Sequence, residues 1–160
     1  MENQECCPEF HPEKWDNCNH KWENKPFIME SMPTLFHIPF PPMIGKKMKK
    51  LWELMSASNA QEPDKDKILI LFRDPSAFKS DIYLSVNGEV KNAVNKKLSG
   101  EFFSKVFSGP YNDVPKFIKQ MDAHLASMNK KANDYYIHYA YCPKCAKKYG
   151  NNYMIFFAKV

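Results

Sequence analysis

The stretch EFFSKVFSGPYNDVPKFIKQMDAHLASM, residues 101–128, decides the fold that we predict for this chain. It starts as a β-rich run at Glu101–Phe107 and turns at Ser108-Gly109-Pro110-Tyr111. Asp113 is a favourable N-cap, and Pro115 falls in the first helical turn, where proline is tolerated. The apolar residues that follow recur at helical spacing and predict one amphipathic helix to about Met128; they are Val114, Phe117, Ile118, Met121, Leu125 and Met128.

The same order of elements occurs twice along the chain. Two strand-like runs follow the helix of the second half, at Tyr135–Tyr141 and Tyr153–Lys159. The first half predicts an extended run at Phe27–Ile38, a helix over about Met43–Ala57, and strands at Ile68–Phe72 and Asp81–Val86. The order strand, helix, strand, strand occurs in both halves, and this repetition predicts a duplicated α+β fold.

Length and composition favour one globular domain preceded by an arm. The chain has 160 residues, of which 44% are apolar and 14% aromatic, and this is enough for a single core. Residues 1–25 show no period, yet they include Trp15 and Trp22, which are costly to leave in water. We therefore expect an ordered N-terminal arm at 1–25, packed on a domain at 26–160.

Charge and hydropathy argue against several partners. The net charge of +5 suggests nucleic acid, but Arg73 is the only arginine, and proteins that read nucleic acid rely on arginine for bidentate contacts. No apolar run is long enough to span a bilayer, and the opening MENQECC lacks a signal pattern. We expect a cytoplasmic monomer or homodimer without nucleic-acid or membrane partners.

Pairs of neighbouring cysteines occur near both ends of the sequence, at Cys6-Cys7 and at Cys142-Pro143-Lys144-Cys145. Thiols two residues apart are a usual half-site for zinc, and two distant pairs permit a four-thiolate site that clips the arm to the last hairpin. Five cysteines in a reducing compartment favour thiols or metal ligands over disulfides. Zinc is the one cofactor that this pattern predicts, and the further candidate ligands are Cys18, His11 and His20.

Two other interpretations of the cysteines stay open. Cys-Pro-Lys-Cys resembles an oxidoreductase motif in which a nearby lysine lowers a thiol pKa. Such a motif normally opens a helix, whereas this one lies between two strand-like runs. The cysteines can also pack as small reduced hydrophobes. Metal binding and packing carry equal weight, and redox exchange comes behind them.

The chain resembles a known family over roughly residues 26–160. The run Phe107–Tyr111, before an amphipathic helix and a tyrosine-rich strand, is similar to the gyrase-inhibitor-like (GyrI-like) small-molecule-binding domain. In the first half, Trp52-Glu53-Leu54 on a helix and Arg73-Asp74-Pro75 between strands are similar to that family's first repeat. The flanking motifs CCPEF at Cys6–Phe10 and CPKCAKKYG at Cys142–Gly150 look like a free-standing bacterial branch labelled simply hydrolase.

This resemblance implies a GyrI-like/SOUL-type curved antiparallel sheet around a groove, with two helices on one face. Members of the family bind planar or cationic apolar molecules, and some free-standing members resemble hydrolases of electrophilic compounds. We therefore expect a small aromatic molecule as the partner. Hydrolysis of that molecule is one implied function, and non-catalytic sensing or scavenging is the alternative. A protein-interaction adaptor is a third alternative, which would leave the groove filled by side chains.

The groove is expected where the two repeats meet. Glu53 would be the charge partner or water activator, and His138 a base on the strand. Tyr111 matches the family position whose hydroxyl would reach the groove. The ligand-stacking walls are expected from Phe36, His37, Trp52, Tyr83, Phe102 and Tyr139. Asp81 and Lys105 are further polar candidates in the same segments.

Overall fold

The computed structural model describes residues 9–36, 38–39, 41–141 and 143–160. The chain divides into two compact units. The central unit is Trp22–Ser99, and the terminal unit joins the described residues up to Lys21 with Gly100–Val160. Both unit boundaries fall inside long strands, so each of these strands contributes residues to both units.

The described residues form strands and helices in an α+β arrangement, as predicted. The strands are β1 (Cys18–Leu35), β2 (Ile38–Pro39), β3 (Ile70–Ser76), β4 (Lys79–Ser85), β5 (Val94–Ser108), β6 (Asp134–Tyr139) and β7 (Tyr153–Lys159). The helices are α1 (Pro41–Ala57), α2 (Val114–Ser127) and α3 (Pro143–Tyr149), with short 3-10 turns at Pro12–Lys14, Lys65–Lys67 and Tyr111–Asp113. No helix in the described part of the chain is long and apolar enough to cross a membrane.

In the central unit, β4 lies between β1 and β3, and both pairs are antiparallel. One face of these strands packs against α1. The buried side chains of this layer include Ile28, Met32, Leu51, Met55, Ile82 and Leu84. Burial of one such side chain stabilises the fold by about 1.5–3 kcal/mol. The predicted apolar stripe of α1 is confirmed, since Ile44, Met48 and Trp52 also pack against this cluster.

The start of α1 differs from the prediction. The prolines before Met43 were expected to forbid helix until they ended, but the helix begins at Pro41. A proline in the first helical turn loses no hydrogen bond, because the backbone N–H groups of that turn have no partner within the helix.

The other face of the central strands carries a different set of side chains, because successive residues of a strand point to opposite faces. Phe27, Leu71 and Tyr83 are buried and lie on this face. Ser31 and Asp81 share it. This face therefore combines aromatic rings with a carboxylate.

The terminal unit has its last strand in the middle as well. β7 lies between β5 and β6, again in antiparallel pairs. α2 packs on one face, where the buried residues include Phe103, Phe107, Phe117, Met121, Leu125, Met154 and Phe156. The helix predicted to end near Met128 ends at Ser127. Both helices that the sequence predicts from apolar periodicity are therefore present.

The described part of the N-terminal segment is ordered within the terminal unit. The Asp16 carboxylate accepts a hydrogen bond from the Val106 backbone N–H at 3.0 Å, and Phe10 N–H donates to the Tyr141 hydroxyl at 2.8 Å. β1 already begins at Cys18, seven residues before the predicted end of the arm. The predicted division at residue 25 stays a prediction.

One element between the last two strands was predicted wrongly. The sequence indicated a turn at Cys142–Cys145, whereas the structure has α3 at Pro143–Tyr149. The helix carries proline at its first position and Gly150, at φ +75°, just past its end, which is the favoured pattern for a short helix. Cys145 therefore lies in a helix, the context in which an oxidoreductase Cys-x-x-Cys motif normally occurs, so the secondary structure does not disfavour redox exchange.

Candidate functional site

Asp81 is the one carboxylate that is buried in the described part of the chain, with 5% of its surface exposed. It lies on the middle strand of the central unit, opposite Ser31 on β1 and Arg73 on β3. Side chains directly opposite each other on antiparallel strands stand about 4.5–5.5 Å apart. The register of three strands therefore builds a row of a hydroxyl, a carboxylate and a guanidinium.

The contacts of Asp81 follow from this row. The Ser31 hydroxyl donates to Asp81 Oδ1 at 2.5 Å. Arg73 Nη1 lies 3.9 Å from Asp81 Oδ2, and Lys79 Nζ lies 3.9 Å from Oδ1. A buried carboxylate is costly unless it is paired and hydrogen-bonded, and these three groups supply that compensation.

The spacing between Asp81 and Arg73 also suits chemistry. At 3.9 Å, Oδ2 and Nη1 are close enough for one oxygen atom of a substrate or water to contact both. A carboxylate in that position can accept a proton, and a guanidinium can stabilise a developing negative charge. Tyr83, two residues along on the same face, meets the Phe27 ring edge-on with centroids 6.2 Å apart. The row thus has an aromatic neighbour.

A second polar cluster lies in the terminal unit around Ser104, whose side chain is fully buried. The Ser104 hydroxyl donates to the Trp15 carbonyl oxygen at 2.6 Å. His20 Nε2 lies 2.7 Å from Ser104 Oγ, and the His20 tautomer decides which of the two donates. Ser104 is fully buried, and its contacts with Trp15 and His20 tie the N-terminal segment to β5.

A cleft of about 330 Å³ opens beside this cluster. Its lining includes His20, Phe102, Lys21 and Lys130, together with the carboxylate-bearing Glu101. Charges of both signs line the cleft, so its electrostatics select neither an anionic nor a cationic ligand.

The predicted residues of the central unit lie on different surfaces. Glu53 is exposed on α1, with 67% of its side chain accessible, and forms an i,i+4 ion pair with Lys49 at 3.9 Å. Trp52 packs in the layer between α1 and the strands. Tyr83 lies on the opposite face of those strands. The structure does not bring Glu53 and Trp52 together with Tyr83.

Two further predicted residues lie at the end of β1. Phe36 is 69% exposed, and its ring contacts that of Phe78 with centroids 5.6 Å apart. His37 is outside the described residues. Phe36 therefore belongs to an exposed ring pair.

The predicted residues of the terminal unit also divide between two faces. Tyr139 packs on the α2 face, and the 44% exposed Tyr111 meets its ring at 5.3 Å. His138 and Phe102 lie on the opposite face, since they alternate with residues of the α2 layer along their strands. The structure brings Tyr111 to Tyr139 and does not bring it to His138. The groove predicted between the repeats stays a prediction.

Of the predicted zinc ligands, Cys6, Cys7 and Cys142 are outside the described residues. Cys145 is buried in α3. The further candidates have other neighbours: Cys18 Sγ lies 3.4 Å from the Asp16 carbonyl, His11 pairs with Glu13 at 3.5 Å, and His20 contacts Ser104. Within the described ranges, no group of three or more His, Cys, Asp or Glu side chains is arranged to hold a metal ion.

Sequence reasoning named Asp81 among the polar candidates but selected Glu53. The signal that favours Asp81 is a carboxylate within the strand SDIYLS, where the neighbours are apolar or small. Such a position predicts burial, and a buried carboxylate needs partners.

Two solved structures from Listeria innocua are similar to this chain in fold. One, described as an uncharacterized conserved protein, has a TM-score of 0.61 and 9% identity, and the match covers 90% of this chain and 91% of that one. The other, described as a hydrolase, has a TM-score of 0.60 and 11% identity over the same shares. No curated protein matches the sequence significantly. A family model described as bacterial hydrolase matches residues 1–160.

Proposed function

This chain belongs to the bacterial hydrolase family, and from that premise we propose that it binds planar aromatic or electrophilic small molecules and hydrolyses them. The observation that carries the proposal is the buried Asp81 carboxylate with Arg73 Nη1 3.9 Å from its Oδ2. A family of hydrolases needs a group that takes a proton from water, and this carboxylate is the best placed of the described residues.

The proposed reaction uses the row as follows. Asp81 Oδ2 accepts a proton from a water molecule, and the water oxygen forms a bond to the electrophilic carbon of the substrate. The electron pair displaced from that carbon moves onto a substrate oxygen, which the Arg73 guanidinium stabilises. The leaving group departs and receives the proton from Asp81. Ser31, by donating to Oδ1, keeps the carboxylate oriented with Oδ2 toward Arg73.

The aromatic character of the substrate rests on rings that lie away from the helices. In the central unit, Phe27 and Tyr83 form an edge-to-face pair. In the terminal unit, the corresponding pair is Phe102 and Tyr136, with centroids 6.0 Å apart. Tyrosine and phenylalanine rings suit contact with a flat apolar ligand. These four rings are buried, with at most 7% of any of them exposed, so a ligand reaches them only where it displaces the side chains that cover them. The shared strand order of the two units, with the last strand in the middle, supports the duplicated GyrI-like architecture.

Asp81, and not the predicted Glu53, takes the carboxylate role in this reaction. Glu53 faces solvent on α1 and pairs with Lys49. Water screens the interactions of an exposed carboxylate with neighbouring charges, so the protein has little influence on its proton transfer. Tyr111 remains a proposed ligand contact, whereas His138 lies on the opposite face of its strand and would contact a different ligand position. The Tyr111 hydroxyl group belongs to an exposed ring, from which it can donate to a ligand.

Binding without turnover is the second candidate function. The observation in its favour is that Asp81 already has a hydroxyl and two cations around it, as a purely structural buried carboxylate would. A protein that scavenges aromatic compounds would keep the ring surfaces and need no proton acceptor.

A turnover screen separates the two candidates. Chromogenic aromatic esters, lactones and epoxides are incubated with the protein, and binding is followed in parallel by quenching of tryptophan fluorescence. We expect Asp81→Asn to lower kcat about 100-fold or more while ligand binding persists. Glu89→Gln, at an exposed carboxylate of the same unit, is the matched control and should keep its rate. Unchanged kcat in Asp81→Asn, or loss in Glu53→Gln instead, contradicts the assignment to Asp81.

We further propose zinc as a structural ligand of Cys6, Cys7, Cys142 and Cys145. A zinc ion coordinated by thiolates from two distant segments would cross-link the N-terminal segment to the region of α3. Support comes from the contact of Phe10 with Tyr141, residues that stand close in sequence to the two cysteine pairs.

A further inference from the structure

Three large apolar side chains are exposed at one end of the central unit. Leu35 is 54% exposed, Phe36 69% and Phe78 58%. The two rings contact each other with centroids 5.6 Å apart. We call Leu35, Phe36 and Phe78 the apolar tip. Single exposed apolar residues are ordinary, whereas a contiguous exposed group marks an interaction surface.

Hydrogen bonds hold the two parts of the tip together. The Thr34 backbone N–H donates to the Phe78 carbonyl at 3.0 Å. The Thr34 hydroxyl donates to the neighbouring Ala77 carbonyl, also at 3.0 Å. The end of β1 is thus tied to the turn between β3 and β4, and Thr34 itself is buried. The tip is a fixed feature of the sheet end.

The backbone of Phe36 is also unusual for an aromatic residue. Phe36 has φ +50°, in the left-handed region, where a bulky side chain is strained. The other described non-glycine residues with positive φ are asparagines, which tolerate this region; they are Asn17, Asn24, Asn59, Asn92 and Asn129. A phenylalanine is the exception, and its ring faces solvent.

On its β1–α1 side the tip adjoins a basic stretch of sequence, whereas on the β3–β4 side Arg73 and Lys79 are balanced by Asp74 and Asp81. Residues 31–52 contain four lysines and no carboxylate. α1 starts two residues after β2, which pairs with the end of β1 through Leu35 and Ile38, so the first turns of α1 start near the tip. Lys49 and Lys50 have ion-pair partners, in Glu53 and Glu30. Among the ion pairs of the described residues there is none for Lys46 or Lys47.

We propose that the apolar tip docks on an anionic phospholipid surface, with Lys46 and Lys47 contacting the headgroups. Interfacial binding grows with the apolar area inserted and with the attraction of lysines to anionic lipid. The tip supplies exposed rings, and Lys46 and Lys47, on the helix that follows β2, supply positive charge without an ion pair among the described residues. The sequence-based expectation of no membrane partner rested on the lack of a spanning segment, which surface docking does not need.

Co-sedimentation with vesicles tests the proposal. The protein is mixed with vesicles of phosphatidylcholine alone or with about one quarter phosphatidylserine, at low and high salt. We expect binding to the anionic vesicles, weakened by salt. Phe36→Ser/Phe78→Ser and Lys46→Glu/Lys47→Glu should each lower the partition coefficient about tenfold or more. Lys96→Glu/Lys97→Glu, which reverses two adjacent exposed lysines on β5, is the matched control and should retain binding.

Three results overturn the proposal. The first is that the unmutated protein stays in the supernatant with anionic vesicles. The second is an equal loss of binding in Lys96→Glu/Lys97→Glu, which would make the attraction a property of the net charge. The third is a dimer in sedimentation equilibrium that Phe36→Ser/Phe78→Ser abolishes, which would assign the tip to a second copy of the chain. Thermal unfolding of each variant confirms that these exposed substitutions leave the fold intact.

Discussion

The Phe10 backbone N–H and the Tyr141 hydroxyl form a hydrogen bond of 2.8 Å, although 131 positions separate the two residues in sequence. Their rings also meet edge-on, with centroids 6.4 Å apart. Cys7 lies three positions before Phe10, a length of chain that spans at most about 11 Å. Cys142 follows Tyr141 directly. The contact therefore joins two residues that stand close in sequence to the two cysteine pairs, and Cys6, Cys7 and Cys142 themselves lie outside the described residues.

We predict that the purified protein holds about one zinc ion per chain. Cys142→Ser/Cys145→Ser should lose the metal and become less stable, because zinc that binds only the folded state adds its binding free energy to folding. Elemental analysis and thermal unfolding with a chelator measure both effects. Cys18→Ser, at a thiol whose described neighbours are carbonyl oxygens, is the control. Metal-free unmutated protein with fully titratable thiols would leave the cysteines as packing residues.

The Ser104 cluster yields a prediction about stability. Ser104→Ala leaves His20 Nε2 and the Trp15 carbonyl without the hydroxyl that contacts both. We expect the free energy of unfolding to fall by about 1–3 kcal/mol, as for other buried groups that lose a partner. Ser99→Ala on the same strand removes an exposed contact with Asn24 and should change it by less than about 0.5 kcal/mol. Urea unfolding followed by fluorescence measures the difference. Equal effects of Ser104→Ala and Ser99→Ala would show that the buried hydroxyl stabilises the fold no more than the exposed one.

Two glycines should respond to alanine in opposite directions. A Cβ on Gly109 would lie 2.9 Å from Phe117 Cζ, and Phe117 cannot easily move because it stacks on Phe107 at 4.9 Å. Gly109→Ala should therefore lower the free energy of unfolding by about 1–3 kcal/mol. Gly45 lies inside α1, and a Cβ there meets nothing within 4 Å. Gly45→Ala should therefore raise the free energy of unfolding by about 0.5–1 kcal/mol. Calorimetric melting temperatures test both signs, and a destabilising Gly45→Ala would refute the helix-propensity argument.

Alkaline stability should depend on Tyr135. Burial raises the pKa of Tyr135 above its ordinary value, and the hydrogen bond to Asp122 and the charge of that carboxylate raise this pKa further. The unfolded tyrosine ionises first, at about pH 10, so the free energy of unfolding falls as pH rises above that value. Tyr135→Phe lacks this ionisation and should lose less stability between about pH 8 and about pH 11. Urea unfolding across that range measures it; equal losses in the two proteins would contradict the assignment.

The helices were predictable because their signal is local. In α1 and α2 the apolar residues recur every three or four positions, and those residues prove to be the buried ones, as with Leu51, Met55, Phe117 and Met121. Helix periodicity is a property of neighbours in sequence. One sequence is therefore enough to detect this periodicity.

The missed elements had weaker local signals. Cys18–Trp22 alternates half-buried and exposed side chains, a strand period that was overlooked because the surrounding residues are polar. α3 is so short that its apolar residues show no helical period, and its sequence signals are only Pro143 at the start and Gly150 after the end.

The candidate site could not be selected from the sequence for a different reason. Asp81, Ser31 and Arg73 belong to three strands, and only the register of those strands sets them in one row. Register depends on which faces are buried together, and pairs of residues distant in sequence decide it. Sequence reasoning could name Asp81 as a polar residue in a strand and could not assign its partners.

The division of the terminal unit between the two parts of the chain sets an order of events during synthesis. Trp15 and His20 contact Phe157, which the ribosome adds some 140 positions later. At about 5–20 residues per second, that delay is about 7–28 seconds. The central unit is continuous in sequence and can fold while the first segment still waits for its partners. A nascent chain of this protein therefore exposes a tryptophan-bearing segment for that interval, during which chaperones can reach it.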